Sequence, residues 1–215
     1  RFFFYLSEEK FNSLLEVLQK HPSITGLIEC GGKYDLIAVF AALSPSEFNK
    51  KLKELISKYP SQLKNYVILT TVVTHYYSRY YLIDPVKGDI NLFRDPLALD
   101  TIIGGDRSFL SIDKKDRKIL ELLQSDARTS IISLAKETKL DPKTIRQRIN
   151  SLQEKTIIKA YRTIFNVQKI GFIVNKILLK YHNLSVEKEH ELITFCRFNP
   201  NIIELIKLFG EWDLE

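Results

Sequence analysis

Residues 112–158 read IDKKDRKILELLQSDARTSIISLAKETKLDPKTIRQRINSLQEKTII, and the reading of this stretch decides the fold. Asp113, Ser130 and Asp141 each stand where a helix N-cap belongs, because their short side-chain oxygens can accept from the first orphan backbone N–H groups. Pro142 follows Asp141 at the first helical position, where a missing N–H costs nothing. Behind each cap runs a short amphipathic segment. The first brings together Ile119, Leu120 and Leu123; the second Ile131, Leu134 and Ala135; the third Ile145, Ile149 and Leu152. Only a tight turn at Lys139 and Leu140 separates the second from the third. Two helices joined so closely, the second capped and basic on its outside, describe a helix-turn-helix.

Charge points the same way. The 215 residues carry a net +6. Residues 111–171 hold fourteen Lys and Arg against seven Asp and Glu, a net of +7, whereas the remainder holds eighteen against nineteen, a net of −1. A basic face is often only a solvated one; here its coincidence with a groove-reading motif favours nucleic acid. Beyond the third segment, 157–165 suits a two-strand wing and 172–182 a further strand.

Upstream, residues 1–82 alternate in type. A short β-rich run at 2–6 precedes a helix capped by Ser7, with Phe11, Leu14, Leu15 and Leu18 inward, and Pro22 ends it. Residues 24–30 and 34–42 read as strands joined through Gly31 and Gly32. Ser44 and Pro45 open a second helix with Phe48, Leu52, Leu55 and Ile56 inward, and 66–76 reads as one long strand rich in Val, Ile, Thr and Tyr. The order β-α-β-β-α-β predicts a ferredoxin-like domain. Two helices cover only one face of such a sheet, so the other face is expected to be covered by a second copy, giving a homo-oligomer unless the second copy in the same chain takes that role. The aromatic run from His75 to Tyr81 closes the domain. It suits packing at an interface better than base stacking, since no further basic residues flank it. Residues 83–110, with Pro85, Gly88, Pro96, Gly104 and Gly105, read as an interdomain linker carrying a short helix around 97–102.

The C-terminus repeats the beginning. Residues 7–36 and 185–214 align without a gap at an offset of 178, pairing Pro22 with Pro200, Gly32 with Gly210, Asp35 with Asp213 and Tyr34 with Trp212. A second ferredoxin-like domain is therefore expected to begin at about residue 172 and to be cut at Glu215. The chain contains no methionine, so Arg1 is not expected to be a native start and the sequence reads as a fragment. The organisation expected is α+β: a ferredoxin-like domain at 1–82, a linker at 83–110, a winged helix-turn-helix at 111–171, and the start of a second ferredoxin-like domain at 172–215. Cys30 and Cys196 are far apart and read as reduced core thiols. The four histidines lack metal-ligand spacing. There is no signal-peptide pattern and no apolar run long enough to span a bilayer.

Ile112, Asp113, Asp116, Ile119, Leu120, Leu123, Gln124, Ala127, Arg128, Leu134, Ala135, Leu140, Arg148, Ile149, Leu152, Ile158 and Tyr161 together resemble the DNA-binding half of the Lrp/AsnC regulators. The Gly32-x-Tyr34-Asp35-Leu36 turn resembles the effector-binding half of the same family. Three positions depart from the family pattern: Lys139 stands where the turn glycine is usual, Thr156 where the glycine before the wing is usual, and Asp141 where a serine cap is usual. The family usually has one such unit per chain; this sequence resembles a tandem.

The resemblance implies a sequence-specific, DNA-binding transcription regulator that is not an enzyme, needs no cofactor or metal, and works in a prokaryotic cytoplasm at the nucleoid. The third helix would enter the major groove with Lys143, Thr144, Arg146, Gln147 and Asn150 outward, the Arg and Lys suited to guanine, the Gln and Asn to adenine. Arg128, Thr129 and Ser130 would hold phosphate at a helix N-terminus, and Lys159 and Arg162 would do so from the wing. Arg148, beside the apolar stripe, suits a structural or a phosphate role as well as base reading. The resemblance also implies a small effector, often an amino acid, near Gly31, Gly32, Lys33, Tyr34 and Asp35 at an interface between ferredoxin-like domains; plain turn chemistry accounts for the two glycines equally well. Two other readings stand beside this one. One is a tetrapyrrole decarboxylase, for which His75 with Arg79 is the only candidate pair. The other is a chromatin-packing protein of low sequence preference, which the ratio of specific to non-specific affinity would separate.

Overall fold

The computed structural model describes residues 1–5, 11–60, 63, 65–79, 82, 100–106 and 109–215. The Ser7 cap, Tyr80, Tyr81 and most of the linker lie outside the described residues. Two compact units emerge: residues 1–104 with 176–215, and residues 105–175.

The first unit is built on strand alternation. Strand β1 (Phe2–Tyr5) lies between β3 (Leu36–Phe40) and β4 (Asn65–Ile68), and β2 (Ile24–Glu29) pairs with the far side of β3. The result is an antiparallel sheet of order β2-β3-β1-β4. Helices α1 (Phe11–Lys20) and α2 (Pro45–Lys58) connect these strands. Ser44 caps α2 by accepting from the Glu47 N–H at 3.2 Å, with Pro45 at the first helical position. Because successive strand residues point to opposite faces, Phe2, Phe4, Leu36 and Ala38 join Leu14, Leu18, Leu52 and Leu55 in the core beneath the helices. Phe3 and Ile37 point the other way.

Among the described residues, the C-terminal segment covers that second face. Ile206 and Leu208 from the C-terminal segment, with Leu69 and Tyr34, close over Phe3 and Ile37. They belong to β7 (Glu204–Phe209), the end of a three-stranded sheet of order β6-β5-β7 made with β5 (Thr70–Tyr76) and β6 (Thr101–Gly104). The expected long strand at 66–76 is thus two strands in two sheets. It breaks at Leu69, whose N–H donates to the Arg1 carbonyl at 2.8 Å before the chain crosses over. Residues 101–104, expected as helix and linker, are an edge strand held along β5. Helix α6 (Val186–Phe198), in chain order after the helical unit described next, packs Cys196, Leu192 and Ile193 against Leu205 and Tyr77. Its Arg197 meets Asp100 at 2.8 Å.

The second unit holds α3 (Lys114–Ser125), α4 (Ile131–Thr138) and α5 (Pro142–Glu154) around Ile119, Leu134, Ala135, Ile145 and Leu152. The wing expected after α5 is not a pair of strands. The Ile157 and Ile158 N–H groups both donate to the Leu152 carbonyl, at 2.9 and 3.1 Å. Both side chains pack into the helical core, so these two N–H groups close α5 rather than begin a strand ladder. Residues 172–182 likewise carry only a bridge from Leu179 to Leu214. Phe172, Ile173, Val174 and Ile177 are exposed, and the Phe172 N–H closes the preceding turn on the Val167 carbonyl at 3.0 Å. No helix among the described residues is long and apolar enough to cross a membrane.

Candidate nucleic-acid interface

Each helix of the second unit begins on the side chain expected to cap it. Asp113 accepts from the Asp116 N–H at 2.7 Å, Ser130 from Ser133 at 3.1 Å, and Asp141 from Thr144 at 2.9 Å. Between α4 and α5 the chain turns through Lys139 at φ 56°, ψ 43°, and the Leu140 N–H reaches back to the Ala135 carbonyl at 3.1 Å. This is the left-handed closure that glycine usually serves. Thr156 repeats it after α5, also at φ 56°. The two positions where family glycines are replaced therefore keep the glycine conformation and bear its strain.

Lys143, Arg146, Gln147 and Asn150 are exposed, and their spacing of three and four residues sets them along one face of α5. Ile145, Ile149 and Leu152 hold the opposite face in the core. Thr144 is half-buried and its hydroxyl donates to the Asp141 carboxylate. That hydroxyl and the Thr144 N–H together hold the Asp141 carboxyl below its ordinary value, so it stays ionised beside the start of α5. A carboxylate there would repel a phosphate brought to the start of α5.

Arg128 is exposed at the entrance to α4, and its N–H donates to Asp126 at 2.8 Å. The hydroxyl of Thr129 donates to the Asp126 carbonyl at 2.7 Å, and Ser130 shares a 2.9 Å bond with Ser133. These hydroxyls shape the turn before α4, so donation to phosphate from Thr129 requires giving up an existing bond. Lys159 and Arg162 are exposed on the irregular segment after α5. Arg148 reaches Asp113 at 2.7 Å and Asp116 at 2.8 Å. It clamps α5 to the start of α3, so the structural role is the one its geometry carries. Lys115, not singled out from sequence, donates to the Thr138 carbonyl at the end of α4; its partner lies too far along the chain for spacing to reveal it.

In the first unit, Gly32 adopts φ +116° in the hairpin turn, and a side chain at Gly31 would meet open space. Tyr34 is buried and packs on Phe3 with ring centroids 4.9 Å apart. Its hydroxyl accepts from Trp212 Nε1 at 3.2 Å, and Lys33 Nζ meets Glu211 at 3.3 Å. His75 and Tyr77 are buried at the end of β5, with rings 6.2 Å apart. Burial, then the Arg197 charge, pushes the His75 imidazole below its usual value. They are core residues of the second sheet rather than a stacking platform, and His75, one half of the candidate His75–Arg79 pair, is buried.

Three capped helices, with a basic, hydrogen-bonding face on the last, define the class: a helix-turn-helix protein. The AsnC-type helix-turn-helix domain matches residues 112–153. The HTH-type transcriptional regulator FL11 of Pyrococcus furiosus is 31% identical over 104 residues, 48% of this chain and 67% of that protein. The HTH-type transcriptional regulator Ptr1 of Methanocaldococcus jannaschii is 32% identical over 102 residues, 47% of this chain and 68% of that one. The regulator LrpA of Pyrococcus horikoshii is 39% identical over 61 residues, 28% of this chain and 43% of its own length. No solved structure matches. The chain belongs to the Lrp/AsnC family of transcription regulators.

Proposed function

We propose that this chain binds double-stranded DNA sequence-specifically and regulates transcription in response to a small effector. The observation that carries the reading is the α5 face. Four exposed donors and acceptors, Lys143, Arg146, Gln147 and Asn150, lie along one side of a helix whose other side is fixed in a core. Arg146 reads guanine; Gln147 and Asn150 suit adenine. Lys143 suits guanine beside Arg146, and Arg128, Lys159 and Arg162 face phosphate, with Thr129, Ser130 and Thr144 ordering the backbone around them. The sheet order β2-β3-β1-β4 with two connecting helices supports a ferredoxin-like effector half. The turn at Gly31, Gly32, Lys33, Tyr34 and Asp35 is its ligand edge, with an amino acid as the effector class. The cytoplasm, where the nucleoid lies, is where such a regulator works.

Selection of bound duplexes from a random pool tests the reading. The selected site should outcompete a scrambled duplex at fixed salt by at least about 10³-fold. A ratio near one would replace the regulator with a DNA-packing protein. Repeating the competition across free amino acids tests the effector: one of them should shift DNA affinity, and Lys33→Ala should reduce that shift.

A further inference from the structure

The hairpin turn of residues 29–36 has a twin 178 residues later. Cys30 N–H donates to the Asp35 carbonyl at 2.8 Å; Leu208 N–H donates to the Asp213 carbonyl, also at 2.8 Å. Glu29 pairs with Leu36, and Lys207 with Leu214. The two turns also touch each other, and they do so through equivalent residues. Lys33 meets Glu211 at 3.3 Å and Tyr34 meets Trp212 at 3.2 Å, both pairs separated by 178 positions. Contact between a residue and its own counterpart is the signature of a two-fold axis. The covered sheet face points to the same axis, since Phe3 and Ile37 of the first repeat are closed by Ile206 and Leu208 of the second. So does the strand exchange: after Leu69 the chain leaves its own sheet, and β5 runs along β7 of the other repeat.

We propose that the two repeats of this chain are each other's dimerisation partner, so that one chain takes up internally the place a second copy would fill. The charges at the axis identify the occupant. Pairing of two first repeats would set Lys33 against Lys33, and pairing of two second repeats would set Glu211 against Glu211. Only unlike repeats bring opposite charges together, with the Lys33 ammonium 4.9 Å from the centre of the Trp212 ring. Joining the partners in one chain makes their pairing intramolecular. This inference stands independently of the DNA reading.

The test is cross-linking of the whole chain. A zero-length carbodiimide, which couples an amine to a carboxylate, should join Lys33 to Glu211 in the unmodified protein. Peptide mapping should find that link in material with the mass of one chain. In a separate protein carrying Lys33→Cys with Glu211→Cys, a short bis-maleimide, which spans about the reach of the two lost side chains, should bridge 33 to 211, again in one-chain material. A 33–211 link found chiefly in two-chain material would overturn the proposal, because the pairing would then be between copies. Absence of the link in both experiments would also overturn it, because the turns would not meet. The DNA competition described above reads none of these outcomes, so the two ideas fail separately.

Discussion

At the scale of single residues, Lys139 and Thr156 are the clearest sites of strain. Both hold φ 56° without being glycine, at a cost of about 1–2 kcal/mol for an L-residue. Substituting glycine relieves that cost but adds unfolded-state entropy. Lys139→Gly should therefore stabilise by about 0.5 kcal/mol, and Thr156→Gly, where the β-branch makes the conformation worse, by about 1 kcal/mol. Urea unfolding of both variants checks the order. Arg148 gives the opposite sign: losing its bonds to Asp113 and Asp116 should cost about 1 kcal/mol. The same site sets an acid limit. The Asp113 carboxyl is held below its ordinary value first by the Asp116 N–H and then by Arg148. Its folded pKa is lower than its unfolded one, so its contribution is complete above the unfolded value and is lost as pH falls through the folded one. Thermal midpoints should decline below about pH 4, and the decline should be shallower, not absent, in Arg148→Ala, because the backbone cap remains. On DNA, Arg146→Ala should cost about 1–3 kcal/mol on the selected site and relax preference at one base pair. Lys159→Ala should instead weaken selected and scrambled duplexes alike. Equal loss on both duplexes for Arg146→Ala would remove it from base reading.

At the scale of elements, local chemistry explains what was readable and distance explains what was not. The caps at Asp113, Ser130 and Asp141 were legible because a cap and the N–H groups it satisfies lie within four residues. The break at Leu69 was not. Nothing in the 66–76 run marks where it changes partner, since β4 pairs with β1 and β5 with β7, 128 to 139 positions further on. Residues 157–165 have strand composition but form no strand, and Ile157 and Ile158 are engaged by the Leu152 carbonyl. The strand at 101–104 was hidden for the same reason as the break, its partner being β5. The repeat itself was legible as spacing, but the contact between its two copies was not, because alignment reports likeness and not adjacency. The twin turn glycines allow a test of that adjacency. Gly32 sits at φ +116° in open space, so Gly32→Ala should cost about 1 kcal/mol from backbone strain alone. Gly210 sits at φ +144°, and a Cβ there would approach Leu69 Cδ2 to 2.8 Å and the Ile68 carbonyl to 3.1 Å. Gly210→Ala should cost about 1–3 kcal/mol more than its twin, as overpacking does. Equal costs in chemical unfolding would mean that the second turn does not press on the β4–β5 crossover.

At the scale of the whole molecule, charge and structure divide the chain along nearly the same line. Residues 111–171 carry the net +7, and residues 105–175 form the helical unit. The other unit offers DNA almost no net charge, so binding to duplex should behave as if the helical unit alone faced the polyanion. Association of Lys and Arg with phosphate releases condensed cations, at a slope of about −0.9 per phosphate neutralised. If Arg128, Lys159 and Arg162 each neutralise one phosphate, the logarithm of affinity for a scrambled duplex should fall against the logarithm of salt with a slope of about −2.7. Lys159→Ala and Arg162→Ala should each make that slope shallower by about one unit, and the double variant by about two. If Arg146 contacts a base edge, Arg146→Ala should leave the slope on the selected site nearly unchanged while lowering affinity there. Charge-neutralising substitutions in the first unit, such as Lys20→Gln on exposed α1, should leave both affinity and slope where they were. A salt titration of this set on selected and scrambled duplexes separates the contributions. A slope that drops with Lys20→Gln, or one that ignores Lys159 and Arg162, would place the DNA on a different surface from the one around α5.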